Sequence, residues 1–274
     1  MSKGKLGDAA LRAWVVVALL GAPAAHADLS EVRARGSLRV ITHVDPASPE
    51  FSGPDPDRPG IDIEILRGFA NLNKLKIEIV DVSGGPDLRV AALMDGKGDV
   101  VAGRLATTSE RANKIAFSAE IFPLRYTIVS RDPTPPIPGA AALRTLKVGT
   151  VGTSQGLMAV IKEAQIPPSQ VNSSFSEPSD MLQGLRAGRV DAIICSFDMA
   201  LAAAKADPKF RMGGYVGTPN SFSFGLRKGD VDLKAALDQY ISNVQRSMTW
   251  SRLIVDYFGD RALELMRGFR QETP

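Results

Sequence analysis

A chain of 274 residues with 44% apolar and 23% charged side chains has room for one large domain or two ordinary lobes, and its balance excludes a disordered or membrane-embedded class. With 33 Lys and Arg against 30 Asp and Glu, the formal net charge of +3 is too small for a nucleic-acid footprint. One cysteine excludes an internal disulfide; with only two histidines, no metal site and no cofactor are expected.

The first 27 residues carry the three parts of an export signal in order. Lys3 and Lys5 give a positive start, residues 13–20 are an apolar core, and Ala25-His26-Ala27 has the small-x-small form of a cleavage site. The spacing predicts cleavage near Ala27 and a mature start at Asp28. Removing Lys3, Lys5, Arg12 and Asp8 leaves 30 basic and 29 acidic residues, a net charge of +1. Of the histidines, only His43 remains.

Beyond the leader, short apolar runs alternate with helical patterns. Strands are expected over 38–42, 76–82 and 99–103, with helices over 61–73 and 87–96 between them. A second series follows, with strands over 147–151, 170–175 and 191–196 and helices over 156–164 and 179–187. Alternation of this kind predicts an α/β fold whose sheets are mainly parallel and flanked by helices. Between the two series, residues 132–139 contain four prolines and mark a boundary. Strands over 126–131 and 222–226 are placed to cross it, and the stretch from Val231 onward is helical. The expected organisation is one discontinuous lobe (28–128 plus 224–274) and one inserted lobe (132–220), closing by a hinge of two strands.

Arg111 is the residue least easily explained as structure. A helix begins near Thr108, with Thr107 and Glu110 at capping-box spacing. A cation in that first turn faces the positive end of the helix dipole, whereas a bound anion there would reverse the sign. From spacing alone two readings stand: an arginine paired with a surface glutamate, or a carboxylate clamp. Gly152-Thr153-Ser154 turns from a strand into a helix and offers a second N-terminus, either an ordinary capped turn or an anion seat. Residues 152–156 also match the G-x-S-x-G nucleophile elbow, but no histidine follows Ser154 to serve as base, so a serine hydrolase is not expected. Asp62 and Glu64 fit helix-start charges. His43, after the first strand, is either a cleft residue or a solvated loop histidine.

Together these residues resemble the family 3 extracellular solute-binding proteins, periplasmic receptors for amino acids and related solutes in ABC import. The resemblance rests on Gly60-Ile61-Asp62-Ile63-Glu64-Ile65, on residues 102–111 followed by Ala116-Phe117-Ser118, and on Gly188-Arg189-Val190-Asp191-Ala192. The Gly103-Arg104 form is also similar to solute-binding-like modules of membrane-bound lytic transglycosylases. The family fold implied is the two-lobed periplasmic binding protein type. Arg111 would bind the solute's carboxylate, completed by Thr108, the Gly103 carbonyl and the Gly152-Thr153-Ser154 turn. Phe51 would supply an aromatic wall, and His43 a polar contact.

Two departures bear on the ligand. Ala106 stands where a hydroxyl residue is usual, and Ser196 where the family places the aspartate that pairs with an amino acid's ammonium; Asp198 lies two residues on. Arg104 adds a second cation. The resemblance therefore implies a non-catalytic, monomeric periplasmic receptor that delivers a small anionic carboxylate solute to an ABC permease, with no nucleic-acid partner. A dehydratase of the cyclohexadienyl type, with His43, Glu50 or Glu120 as candidate acids, and a sensor module without a transporter are the alternatives.

Overall fold

The computed structural model describes residues 28–44, 49–151, 155–176 and 178–270. The export signal therefore falls outside the described residues, as do Gly152, Thr153 and Ser154.

Asp28 opens the described chain and caps two helices at once. Its Oδ1 accepts from the Leu29 N–H at the start of α1 (Leu29–Arg35) and from the N–H groups of Asp232 and Leu233 in α8 (Val231–Gln245). These N–H groups belong to the first turns, which have no partner within their own helices. β1 (Ser37–Thr42), α2 (Ile61–Leu72), β2 (Lys76–Asp81), α3 (Pro86–Met94) and β3 (Val100–Val101) follow. β1 pairs in parallel with both β2 and β3. α2 buries Ile61, Ile65, Leu66 and Phe69 at helical spacing, which commits one face to the core.

After α4 (Ser109–Lys114) comes β4 (Ala116–Arg131), and after the proline-rich stretch come β5 (Val148–Val151), α5 (Gln155–Glu163), β6 (Val171–Phe175), α6 (Pro178–Arg186), β7 (Ala192–Ser196) and α7 (Phe197–Ala206). β5 lies between β6 and β7, parallel to both. The long return strand β8 (Phe210–Leu226) leads to α8, α9 (Met248–Phe258) and α10 (Ala262–Arg270).

The eight strands form one sheet in the order β2-β1-β3-β8-β4-β7-β5-β6. Three parallel strands at each end flank an antiparallel centre made by β4 and β8. These two pair from Ala116↔Leu226 to Arg131↔Phe210, with register shifts along the way. At one end β8 meets β3 through Gly225↔Val101; at the other β4 meets β7 from Tyr126 to Ser130. Both strands are much longer than the sequence predicts. Pro123 within β4, and Gly213, Gly214 and Pro219 within β8, interrupt the apolar run that would have marked them. Gly213 and Gly214 are required where they stand: a Cβ would lie 2.1 Å from the Ile137 carbonyl oxygen and 1.9 Å from that of Pro138.

α8 packs on β4, α1 and α2, and α9 on α2 and α8. The last helix touches both series: α10 packs on α9 as well as on α7, and Lys205 Nζ pairs with Asp260 Oδ2 at 2.9 Å. Among the described residues, no helix is long and apolar enough to cross a membrane.

Candidate functional site

Several parallel strands point their carboxyl ends at one place, the usual position for a ligand site in an α/β sheet. A cavity of about 460 Å³ opens there, with His43 just after β1, Gly103 after β3, Val151 ending β5, Ser176 after β6 and Ser196 ending β7 among its lining residues. The volume suits a small organic molecule.

Three arginines line this cavity: Arg89, Arg104 and Arg111. Arg111 is only 3% exposed. Its Nε donates to Asp87 Oδ1 at 2.9 Å and its Nη1 to the Ala106 carbonyl at 3.0 Å. The surface-glutamate reading is thereby overturned, since the partner is Asp87 from the first turn of α3 and Glu110 instead pairs with Lys114. The capping box also takes a different form. Thr108 is the N-cap of α4 and accepts from the Arg111 N–H, while Thr107 Oγ1 bonds to Asn220 and Ser221 of β8. Thr108 therefore orients the turn that carries Arg111 but does not line the cavity.

Arg104 has a left-handed backbone, φ 57°. Its guanidinium lies 5.1 Å from the ring centre of Phe51 and 5.0 Å from that of Phe222. Nη2 donates to Ser196 Oγ at 2.6 Å and pairs with Asp198 Oδ2 at 3.1 Å. Arg104 thus links the β3–α4 loop to the β7–α7 junction. Ser196 lines the cavity and, having no charge, accepts the cation that Arg104 brings.

Phe51 does not form the cavity wall expected of it. It is buried among Phe122, Phe222 and Phe258, beneath Arg104, and Phe222 lines the cavity instead. The Gly103 carbonyl, expected to meet the solute, accepts from Arg89 Nη2 at 3.2 Å. Arg89, whose Nη1 donates to Gly84, is a site residue the sequence reading missed. The signal was present: it stands four residues before the buried Leu93, on the inward face of α3. Ala106 lines the cavity and lends its carbonyl to Arg111. His43 lines it too, with Nδ1 2.8 Å from Asp81 Oδ1.

Asp62, expected as a helix-start charge, is buried at the base of the site. Its Oδ2 accepts from the N–H groups of Gly103 and Arg104. Burial pushes its carboxyl up to about 6, opposed by those two hydrogen bonds and by the charges of Arg104 and Arg89. Burial likewise raises Tyr126, another lining residue, to about 12. The Cys195 thiol is also pushed up, by burial and by Asp198.

The profile of the bacterial extracellular solute-binding proteins, family 3, matches residues 38–260. The L-cystine-binding protein TcyJ of Escherichia coli is 27% identical over 94% of this chain and 98% of its own. The membrane-bound lytic murein transglycosylase F of Desulfosudis oleivorans is 20% identical over 84% of this chain but only 50% of its own length. Among solved structures, the ancestral amino acid-binding protein AncCDT-1, a precursor of cyclohexadienyl dehydratase, superposes with a TM-score of 0.72 and 26% identity, covering 84% of this chain and 98% of that one. The two-lobed fold of such binding proteins is this chain's fold, and the chain belongs to the family 3 bacterial extracellular solute-binding proteins.

Proposed function

We propose that this protein is a periplasmic receptor that captures a small carboxylate solute, an amino acid or a related organic acid, and delivers it to an ABC permease. The observation that carries the proposal is Arg111, buried in the wall of a cavity of about 460 Å³ and aimed by Asp87 and the Ala106 carbonyl. A guanidinium held in this way is poised to grip a carboxylate through paired hydrogen bonds. The similarity to TcyJ supports an amino-acid-like solute.

In this proposal residues 28–128 with 224–274 form one lobe and 132–220 the other, and the paired β4 and β8 act as the hinge. The leader is cleaved near Ala27, and the exported protein works as a monomer. Thermal-shift and calorimetric screening of the purified protein against amino acids, dicarboxylates and keto acids tests the proposal. A ligand raises the melting temperature because it binds the folded state, and Arg111→Ala abolishes that rise. Unchanged affinity in Arg111→Ala would sink the clamp.

The likeness to AncCDT-1 favours one second reading, a cyclohexadienyl-type dehydratase. Of its candidate acids, His43 lines the cavity, whereas Glu50 pairs with Arg261 and Glu120 lies on β4 opposite Ser223. Incubation with prephenate or arogenate is expected to yield no aromatic product; its appearance would favour the enzyme.

A further inference from the structure

The side chains that line the cavity divide by origin. Its arginines come from the first series of strands and helices: Arg89 from α3, Arg104 from the loop after β3 and Arg111 from α4. The second series contributes an apolar wall, made by Val151 of β5, Leu157 of α5, Met181 of α6, Cys195 of β7 and Met199 of α7. Each comes from a separate element, so the fold assembles this wall from side chains scattered along the sequence. Ser176, Ser179 and Ser196 lie among them. Ser176 donates to Asp180 at 2.9 Å and Ser196 accepts from Arg104 at 2.6 Å, so both hydroxyls serve the protein's own groups.

This wall is poorly hydrated. Burial pushes the Tyr126 hydroxyl, on the adjoining β4, up to about 12 and raises the Cys195 thiol as well, so both line the cavity uncharged. A neutral buried thiol behaves as a small hydrophobe. Methionine is unbranched and polarizable; it moulds to irregular shapes, and its sulfur makes favourable contacts with the edges of aromatic rings. A hydrocarbon body seated here leaves no polar group unpaired. A carboxamide would give up water and gain no partner from these side chains. The cavity, at about 460 Å³, has room for a phenyl or branched alkyl group together with its carboxylate head.

We infer that the solute is a carboxylate with an uncharged apolar body, phenyl or branched alkyl, and that Met199 and Val151 set this preference by receiving that body while Arg111 takes the carboxylate. The inference rests on the capture reading above and narrows its solute class.

Isothermal titration of the purified protein provides the test, with the head group held fixed and the body varied. Phenylalanine, leucine and glutamine form one set; hydrocinnamate, isocaproate and glutaramate, the same bodies without the amino group, form the other. In whichever set binds, the better apolar body is expected to bind at least about tenfold tighter than the amide. Met199→Gln puts an amide of similar length into the wall and is expected to cut that ratio at least about fivefold, with the amide-bearing acid held within about threefold. Met199→Leu keeps the wall apolar and is expected to preserve the ratio. Val151→Thr, which adds a hydroxyl at nearly constant shape, is expected to cut the ratio in the same direction and serves should Met199→Gln fail to fold. An amide that binds as tightly as the apolar bodies overturns the inference while leaving carboxylate capture standing. A ratio that survives in both Met199→Gln and Val151→Thr does the same. Absence of binding by every one of these acids overturns both.

Discussion

Asp62 Oδ2 accepts hydrogen bonds from two successive backbone N–H groups, those of Gly103 and Arg104, at 2.9 and 3.1 Å. An acidic side chain in the first turn of α2 therefore fixes the loop that presents Arg104. Asp62→Ala leaves both donors without this acceptor and is expected to lower stability by about 1–3 kcal/mol. Solute affinity is expected to fall with it, by about tenfold. Asp62→Asn keeps an acceptor oxygen and should retain most of the binding. Urea denaturation with calorimetric titration separates the two variants, and equal losses in both would sink the hydrogen-bond account.

The same carboxyl gives a pH dependence with a definite sign. Burial raises it to about 6 in the folded protein, against an ordinary value of 3.8. Between these values the folded chain holds a proton that the unfolded chain has released. Stability contributed by this group is thus fully present below about pH 4 and is lost as pH rises through 6, by on the order of 3 kcal/mol. Subtracting the Asp62→Asn stability curve from that of the unaltered protein, from pH 4 to 7, isolates this component. A difference that does not change with pH would contradict it.

Phe51 and Phe222 touch each other, 5.7 Å between ring centres, but only Phe222 lines the cavity. Phe51→Leu is expected to act mainly on stability, costing about 1–3 kcal/mol through lost edge-to-face contacts and a small void. Phe222→Leu is expected to cost more solute affinity than Phe51→Leu does. Melting curves and titrations of the two variants decide, and the reverse ranking would restore Phe51 as a ligand wall.

Gly60, just before α2, has φ 101°, and a Cβ there would lie 2.3 Å from the Phe51 carbonyl group. Gly60→Ala is expected to destabilise the fold by more than about 3 kcal/mol, because backbone meets backbone with nothing flexible to yield. Gly36 also has a positive φ, 77°, but open space around it, so Gly36→Ala should cost only about 1 kcal/mol. Denaturation midpoints that rank the two equally would rule out the steric account.

Much of the fold was legible because period and punctuation agreed. The helix starting at Ile61 and the strands near Val148 and Ala192 carry apolar spacings that no other conformation buries as well. The full lengths of β4 and β8 were not legible: their glycines and prolines serve close approach to residues 137–138 and register shifts, and such constraints leave no periodic trace. In the site, Arg111, Arg104, Ala106, His43 and Ser196 were named from motif position and all line the cavity. Phe51 was misplaced because an aromatic residue reads the same in a core as on a wall. The role of Asp62 depends on a partner 41 residues away, a distance across which spacing says nothing.

The three arginines that line the cavity bear on how the solute arrives as well as on whether it stays. Guanidinium groups lining a low-dielectric hollow hold positive charge at its wall, where its field gathers anions before contact. Encounter should therefore be fast in dilute buffer and should slow as added salt shortens the reach of that field to about 10 Å or less. Once inside, the solute is shielded by the walls, so salt should change its departure far less. Stopped-flow traces over a range of ionic strength would show affinity drifting through the association rate, marking the hollow as an electrostatic funnel as well as a fitted seat.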